Sequence, residues 1–238
     1  MSGAGGIQQG PVQFTPSTSL KEAEKFADEI GAHKLPKTQK DAYATYEKYY
    51  RKKFPDDPML DAHLKSMRET FAGIGDITEE SFLRVQNAIN NNYSNEKYMS
   101  FINKVDEDIT ILVKKKIGNE GGLNRADVTL IFDNPEMFLR SPDKVIPGSD
   151  INWVESLLRH EKGHSLLDDY STKKYREQWV NIYKGKSKEY WQEEVTRYAG
   201  TNKNELFSEM FSIATDPTFK EEMWRYDRYV KDIFKEHF

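Results

Sequence analysis

Apolar and polar positions keep a helical period through the first part of the chain, give way to short β-branched runs, and then return to the helical period. From Ser19 to about Phe71 apolar residues recur every three or four positions, which predicts helices. Ser19 and Glu22 have capping-box spacing ahead of "AEKFADEI", and Thr38 with Asp41 can cap "AYATYEKYYRKKF". Pro55 and Pro58 break the pattern before "MLDAHLKSMRETF" resumes it, and Thr78 opens "EESFLRVQNAI", which closes at asparagines 90 to 92. Two short β-branched runs follow, "DITILVKK" and "DVTLIFDN". The segment between them contains "GNEGG", so the pattern predicts neighbouring strands joined by a glycine-rich turn. A loop with Pro135, Pro142, Pro147 and Gly148 leads back to helix from about Ile151, and residues 172 to 198 are predicted partly helical. "KNELFSEMFSIAT" reads as a helix ending before Pro217, and "FKEEMWRYDRYVKDIFKEHF" as a C-terminal amphipathic helix.

This order divides the 238 residues into a flexible leader, 1–18, an N-terminal helical part, 19–75, and a main domain, 76–238. Hydrophobic residues, at 37%, only modestly exceed the 31% charged, but 13% aromatics supply enough apolar bulk for a folded core. The formal net charge of −4 comes from acids and bases mixed along the chain, which gives no basic footprint and implies no nucleic-acid partner. Apolar runs such as "ITILV" are far shorter than the roughly 20 residues that span a bilayer, so no membrane span is predicted. With no cysteine, disulfides and thiolate ligands are excluded, and any metal site must use His, Asp or Glu.

The stretch "LLRHEKGHSLLDDY" raises that possibility. His160 and His164 are four apart, so a helix stacks them one turn apart on one face, where both imidazoles can reach one ion. Glu161 lies about 100° round the helix from His160, beside such an ion, where a carboxylate can take a proton from coordinated water. Zinc suits this arrangement, because it can lower the pKa of bound water from about 15.7 to about 7 and also polarise a carbonyl. A catalytic zinc takes a third protein ligand. His33 and His63 fall in polar helical segments and His237 is next to last, which predicts surface roles for all three. Glu205 and Glu209 are better placed, four apart on a helix that also carries Leu206, Phe207, Met210 and Phe211 for packing.

The blocks "HEKGHSLLDDY" and "YAGTNKNELFSEMFSIATDP" resemble the catalytic domain of anthrax lethal factor and its relatives, which include the Pro-Pro endopeptidases. The resemblance is clear over about residues 125 to 220 and implies a zincin-like α+β catalytic domain, mostly helical, with a small sheet before the HExxH helix. It implies His160, His164 and Glu205 as zinc ligands, Glu161 as general base, and Tyr198, seven residues before Glu205, as the catalytic tyrosine. Glu209 is placed to accept from the free ring nitrogen of a ligating histidine, with His160 the expected partner. Asp168 has the spacing to steady His164 or to cap the helix end.

Lys162 puts a cation inside the HExxH, at a helical position expected to face outward. The "VTLIFDN" strand resembles the edge strand along which this class binds a protein or peptide substrate by strand addition. The function these features predict is zinc-dependent endoproteolysis. The expected setting is a toxin or effector module, secreted or delivered into a target cell, with a delivery or inhibitor partner possible. The alternatives are a secreted processing protease of the Pro-Pro endopeptidase type and a non-catalytic binding module on the same fold. A purely structural zinc site would need a fourth protein ligand, for which the sequence offers no obvious residue.

Overall fold

The computed structural model describes residues 19–72, 77–102, 109–114, 122–125, 128–133, 153–169 and 173–217. The leader, the proline-bearing loop, His237 and the C-terminal amphipathic helix lie outside the described residues. Within them, the first helices are α1 (Leu20–Ile30), α2 (Gln39–Lys53), α3 (Leu60–Thr70), α4 (Glu79–Tyr93) and α5 (Glu96–Ile102). Strands β1 (Ile109–Val113), β2 (Gly122–Arg125) and β3 (Val128–Phe132) come next. Helices α6 (Trp153–Asp169), α7 (Lys173–Lys184), α8 (Lys188–Glu194) and α9 (Lys203–Ala214) complete an α+β chain that is mostly helix.

Helix starts follow the caps in the sequence. Ser19 and Glu22 close a full capping box, and the hydroxyls of Thr38 and Thr78 accept from the backbone N–H of Asp41 and Ser81. Gly31 ends α1 at φ 70°, a left-handed conformation that glycine adopts without steric cost. The expected end of α4 at the asparagines is corrected, because the helix runs on to Tyr93 and uses them as buried clamps. Asn90 Nδ2 donates to Ala23 O of α1, and Asn91 Nδ2 and Asn92 Nδ2 donate to Glu155 Oε1 and O of α6. Asparagine stops a helix only where its side chain competes for local backbone, and here the side chains reach other helices.

The sheet has the order β1-β3-β2, with β1 parallel and β2 antiparallel to β3. The two predicted strands are neighbours, but not across a single turn. Parallel strands need a long crossover, and "GLNR", not anticipated from its polar composition, forms β2 within it. Alternation sorts the sheet's side chains to two covered faces. Ile111, Val113, Val128, Leu130 and Phe132 pack with Tyr46, Leu64 and Phe71 of the α2–α3 hairpin, while Leu112 and Ile131 pack with α1, α4 and the start of α6. The N-terminal helices therefore share their cores with the sheet. A third core joins α5 through α9 around Trp179, Trp191, Leu206 and Phe211.

The "VTLIF" strand is not an edge, which corrects the expectation for it: β3 pairs with β1 on one side and β2 on the other. The outer edge of β1 is closed by side chains. Gln39 Nε2 donates to Leu112 O at 2.8 Å, Gln39 Oε1 accepts from Lys114 N at 3.0 Å, and His33 Nε2 donates to Thr110 O at 2.9 Å. Among the described residues no strand pairs with the outer edge of β2.

Candidate metal centre

Two helices packed face to face bring the motif residues together. Helix α6 carries His160, Glu161 and His164, and α9 carries Glu205 and Glu209. Small residues line their contact. Ser212 Oγ donates to Ser156 O at 2.8 Å, and a Cβ added at Gly163 would lie 2.8 Å from Ser208 Cα, closer than real Cβ atoms come. Glycine inside the HEKGH stretch thus lets α6 approach α9 closely enough for His160, His164 and Glu205 to meet. Arg159, fully buried, fixes the pair at its other end. Its Nη2 meets Asp216 Oδ2 at 2.7 Å, Nε donates to Ser212 O at 3.1 Å, and Nη1 donates to Asn92 Oδ1 at 3.0 Å. Every branch of the guanidinium is satisfied, as a buried cation requires.

Asn202 caps α9 by accepting from the N–H groups of Asn204 and Glu205, so Glu205 sits in the first turn, where the helix dipole favours a carboxylate. Its Oε2 lies 3.1 Å from His160 Nε2 and 3.5 Å from His164 Nε2. One ligand atom from each of the three residues falls within a 4.8 Å group, so they could hold a metal ion. Glu205 Oε2 is buried without a well-angled hydrogen-bond partner, despite those two close nitrogens. Three donor atoms aimed into one small space, with no proton shared along a good line, is the arrangement a cation fits.

Glu209 Oε1 lies 2.7 Å from His160 Nδ1, off the line of a straight hydrogen bond, so the expected partnership of these two residues is in place as a close ionic contact. Burial disfavours a charged His160, but the carboxylates of Glu209, Glu205 and Glu161 outweigh it and raise the imidazole to about 10. For Glu205, burial works against ionisation, yet the close ring nitrogens of His160 and His164 and their charge hold the carboxyl at about 2. Without a metal, a proton on His160 supplies the positive charge that this cluster of glutamates attracts.

Glu161 is buried beside the sheet. A Cβ at Gly122 of β2 would lie 3.1 Å from Glu161 Oε1, so the outer strand's backbone runs directly over this carboxylate. Tyr198 is on the turn between α8 and α9, 51% exposed, with its ring centroid 6.1 Å from that of His160 and nearly perpendicular to it. All five residues expected around one centre, and Glu209 behind it, are thus neighbours. Asp168 falls in the last turn of α6, and its side chain lies outside the described residues.

Two expectations fail. Lys162 does not face outward; it is 0% exposed, because α6 is covered on the side opposite the ligands as well. His33 and His63 are not surface groups: each is half-buried, His33 on β1 and His63 against Tyr46 Oη at 2.8 Å. Arg159, Gly163 and Gly122 were missed as parts of the centre. Only Gly163 left a signal, a glycine mid-helix where it costs about 1 kcal/mol unless close packing requires it. No family model, curated protein or solved structure matches the chain.

Proposed function

We propose that the chain is a zinc-dependent endopeptidase, with His160, His164 and Glu205 as the metal ligands. The observation that carries this reading is the convergence of those three side chains beside a buried glutamate that lies against β2, whose outer edge no described strand pairs with. Zinc bound there supplies Lewis acidity, polarising a substrate carbonyl and lowering the pKa of water to about 7. Glu161 takes the proton from the attacking water and passes it to the departing amine. Tyr198 donates a hydrogen bond to the carbonyl oxygen as it gains negative charge. Glu209 holds His160 by its Nδ1 side, leaving Nε2 for the ion.

The substrate is a protein segment in extended form, added as a strand along the outer edge of β2. Gly122 supports this reading, since with no side chain it lets the backbone of β2 pass close to Glu161. The resemblance of the two site blocks to lethal factor supports a toxin or effector module acting on a protein of a target cell.

The test is mapping of new N-termini in a proteome exposed to the zinc-loaded chain, with Glu161→Gln as control. Cleavages made by the wild type and lost in the control are expected; identical termini from both proteins would sink the reading.

A further inference from the structure

We infer that Tyr183 and Gly200 are positioning residues for Tyr198, an inference that rests on the reading of Tyr198 as the donor to the substrate carbonyl. Tyr198 is 51% exposed on a turn, and a donor to a developing oxyanion must be placed within a few tenths of an ångström, so the placement of the turn's backbone matters. One constraint on that backbone comes from behind the turn. Tyr183 on α7 donates its hydroxyl to Gly200 O at 2.9 Å, two residues beyond Tyr198. Its own backbone is anchored in turn, since Trp191 Nε1 donates to Tyr183 O at 2.9 Å and the Trp191 side chain is fully buried.

Gly200 presses the same turn onto α8. A Cβ there would lie 2.3 Å from Gln192 Cγ and 2.7 Å from Lys188 O, so only glycine lets the turn sit this close to the helix backbone. Further bonds of the turn are local: Thr201 N donates to Tyr198 O at 2.9 Å, Ala199 N to Thr196 Oγ1 at 3.0 Å, and Gln192 Nε2 to Arg197 O at 3.4 Å. Tyr183 is the longest reach among these partners, and it ties the turn to a different helix. The path runs from buried Trp191 through Tyr183 to Gly200 and the turn, and ends with the Tyr198 ring beside His160.

A double-mutant cycle separates positioning from plain stability. The probe is a quenched fluorescent peptide library, with one cleaved member chosen for kinetics and zinc measured in every protein. Tyr198→Phe is expected to lower kcat by about 10²–10³. Tyr183→Phe is expected to lower kcat by about tenfold or more, with KM and zinc content unchanged, within the roughly 10² that a 1 Å displacement can cost. In the Tyr198→Phe background, Tyr183→Phe should have no further effect on kcat, because the hydroxyl it positions is gone, while its loss of Tm should be the same in both backgrounds. Equal kcat losses in the two backgrounds, or no loss in either, would overturn the inference. If Tyr198→Phe itself keeps full kcat, the role of Tyr198 fails first and the inference goes with it.

A second measurement is independent of activity. In the metal-free protein, the Tyr198 ring shifts the His160 ring protons through its ring current. Tyr183→Phe is expected to move those resonances toward their positions in Tyr198→Ala while leaving His63 fixed. Unmoved His160 resonances would overturn the inference even in a protein that cleaves the probe.

Discussion

His160 and His63 are both histidines of a helix face drawn out of water, and they end in opposite states. His63, on α3, stacks on Tyr50 with ring centroids 4.2 Å apart and meets Tyr46 Oη at 2.8 Å. Burial lowers its pKa, Arg125 of β2 lowers it further, and Asp57 only partly opposes them. His160, on α6, feels the same penalty from burial but faces Glu209, Glu205 and Glu161, which reverse it. Burial alone therefore does not tell a packing histidine from one that can exchange a proton for a cation. The charges around it decide, and these come from other elements of the fold.

The largest expected effect breaks the comparison at its richer side. Single changes His160→Ala, His164→Ala and Glu205→Ala are expected to abolish stoichiometric zinc and proteolysis together, whereas His63→Ala leaves both in place. Metal analysis after gel filtration decides it: full zinc in Glu205→Ala would remove that residue from the ligand set. Glu161→Gln comes next. It should keep the metal and the fold while lowering kcat by roughly 10²–10⁴, the usual size of general-base assistance. Proteolysis within a few fold of wild type would assign the base elsewhere.

How far the sequence reached differs between the same two regions. His160, Glu161 and His164 share one helix turn, so their geometry follows from the 3.6-residue period, and Glu205 and Glu209 follow from the same rule on a second helix. What the period cannot supply is the distance between helices. That depends on Gly163 meeting Ser208 and on Arg159 reaching Asp216, contacts between residues 45 to 57 apart in the chain (208 − 163 = 45; 216 − 159 = 57). The sheet was less legible. "ITILV" and "VTLIF" carry the β-branched signal, but β2 is "GLNR", whose strand state comes from pairing with β3 rather than from its own propensity. Missing β2 made β3 look like the edge. His33 and His63 were misplaced for a related reason, since a polar side chain is buried when tertiary contacts satisfy it, and their partners, Thr110 O and Tyr46 Oη, lie on other segments.

Gly163→Ala sharpens the comparison without touching a ligand. A Cβ 2.8 Å from Ser208 Cα meets backbone that cannot swing away, so α6 and α9 must separate by several tenths of an ångström. Overpacking of this kind costs about 1–3 kcal/mol of stability. Zinc affinity is expected to fall about tenfold or more, because His160 and His164 move relative to Glu205; chelator competition measures it. Unchanged affinity in a destabilised protein would show that the metal ligands do not depend on this close approach.

The two histidines also predict opposite responses to pH in the metal-free protein. His160 is raised from 6.5 to about 10, so its contribution is complete below about pH 6.5 and is lost as pH rises toward 10. Glu205 is lowered from 4.5 to about 2, so its contribution is complete above about pH 4.5 and is lost as pH falls toward 2. Their pair is therefore strongest between about pH 4.5 and 6.5. His63, with a lowered pKa, stabilises the neutral form, and its contribution declines as pH falls below about 6.5. Zinc competes with the His160 proton, so its affinity should rise with pH across the range in which metal-free stability falls. Thermal melts with and without zinc from pH 5 to 9 read both slopes; parallel curves would remove the proton–metal exchange at His160.

The smallest effect belongs to the packing histidine. Tyr46→Phe keeps the aromatic ring that stacks on Tyr50 at 5.7 Å and packs against Phe71, and deletes only the hydroxyl 2.8 Å from His63 Nε2. One half-buried hydrogen bond contributes about 1 kcal/mol, so stability should fall by roughly that amount, since His63 Nε2 loses its partner. Burial raises the Tyr46 phenol well above its ordinary range, so the hydroxyl stays protonated at neutral pH. The hydroxyl can donate to a bare His63 Nε2 or accept from a protonated one, and either bond favours a single tautomer of the ring. Removing the phenol releases that constraint, and nitrogen chemical shifts of the His63 ring should change from one tautomer toward a mixture. Zinc content and kcat should not move, because the α2–α3 hairpin meets the far face of the sheet from α6. A change in either would mean that the two faces of the sheet are coupled through β2, the strand that carries both Arg125 beside His63 and Gly122 beside Glu161.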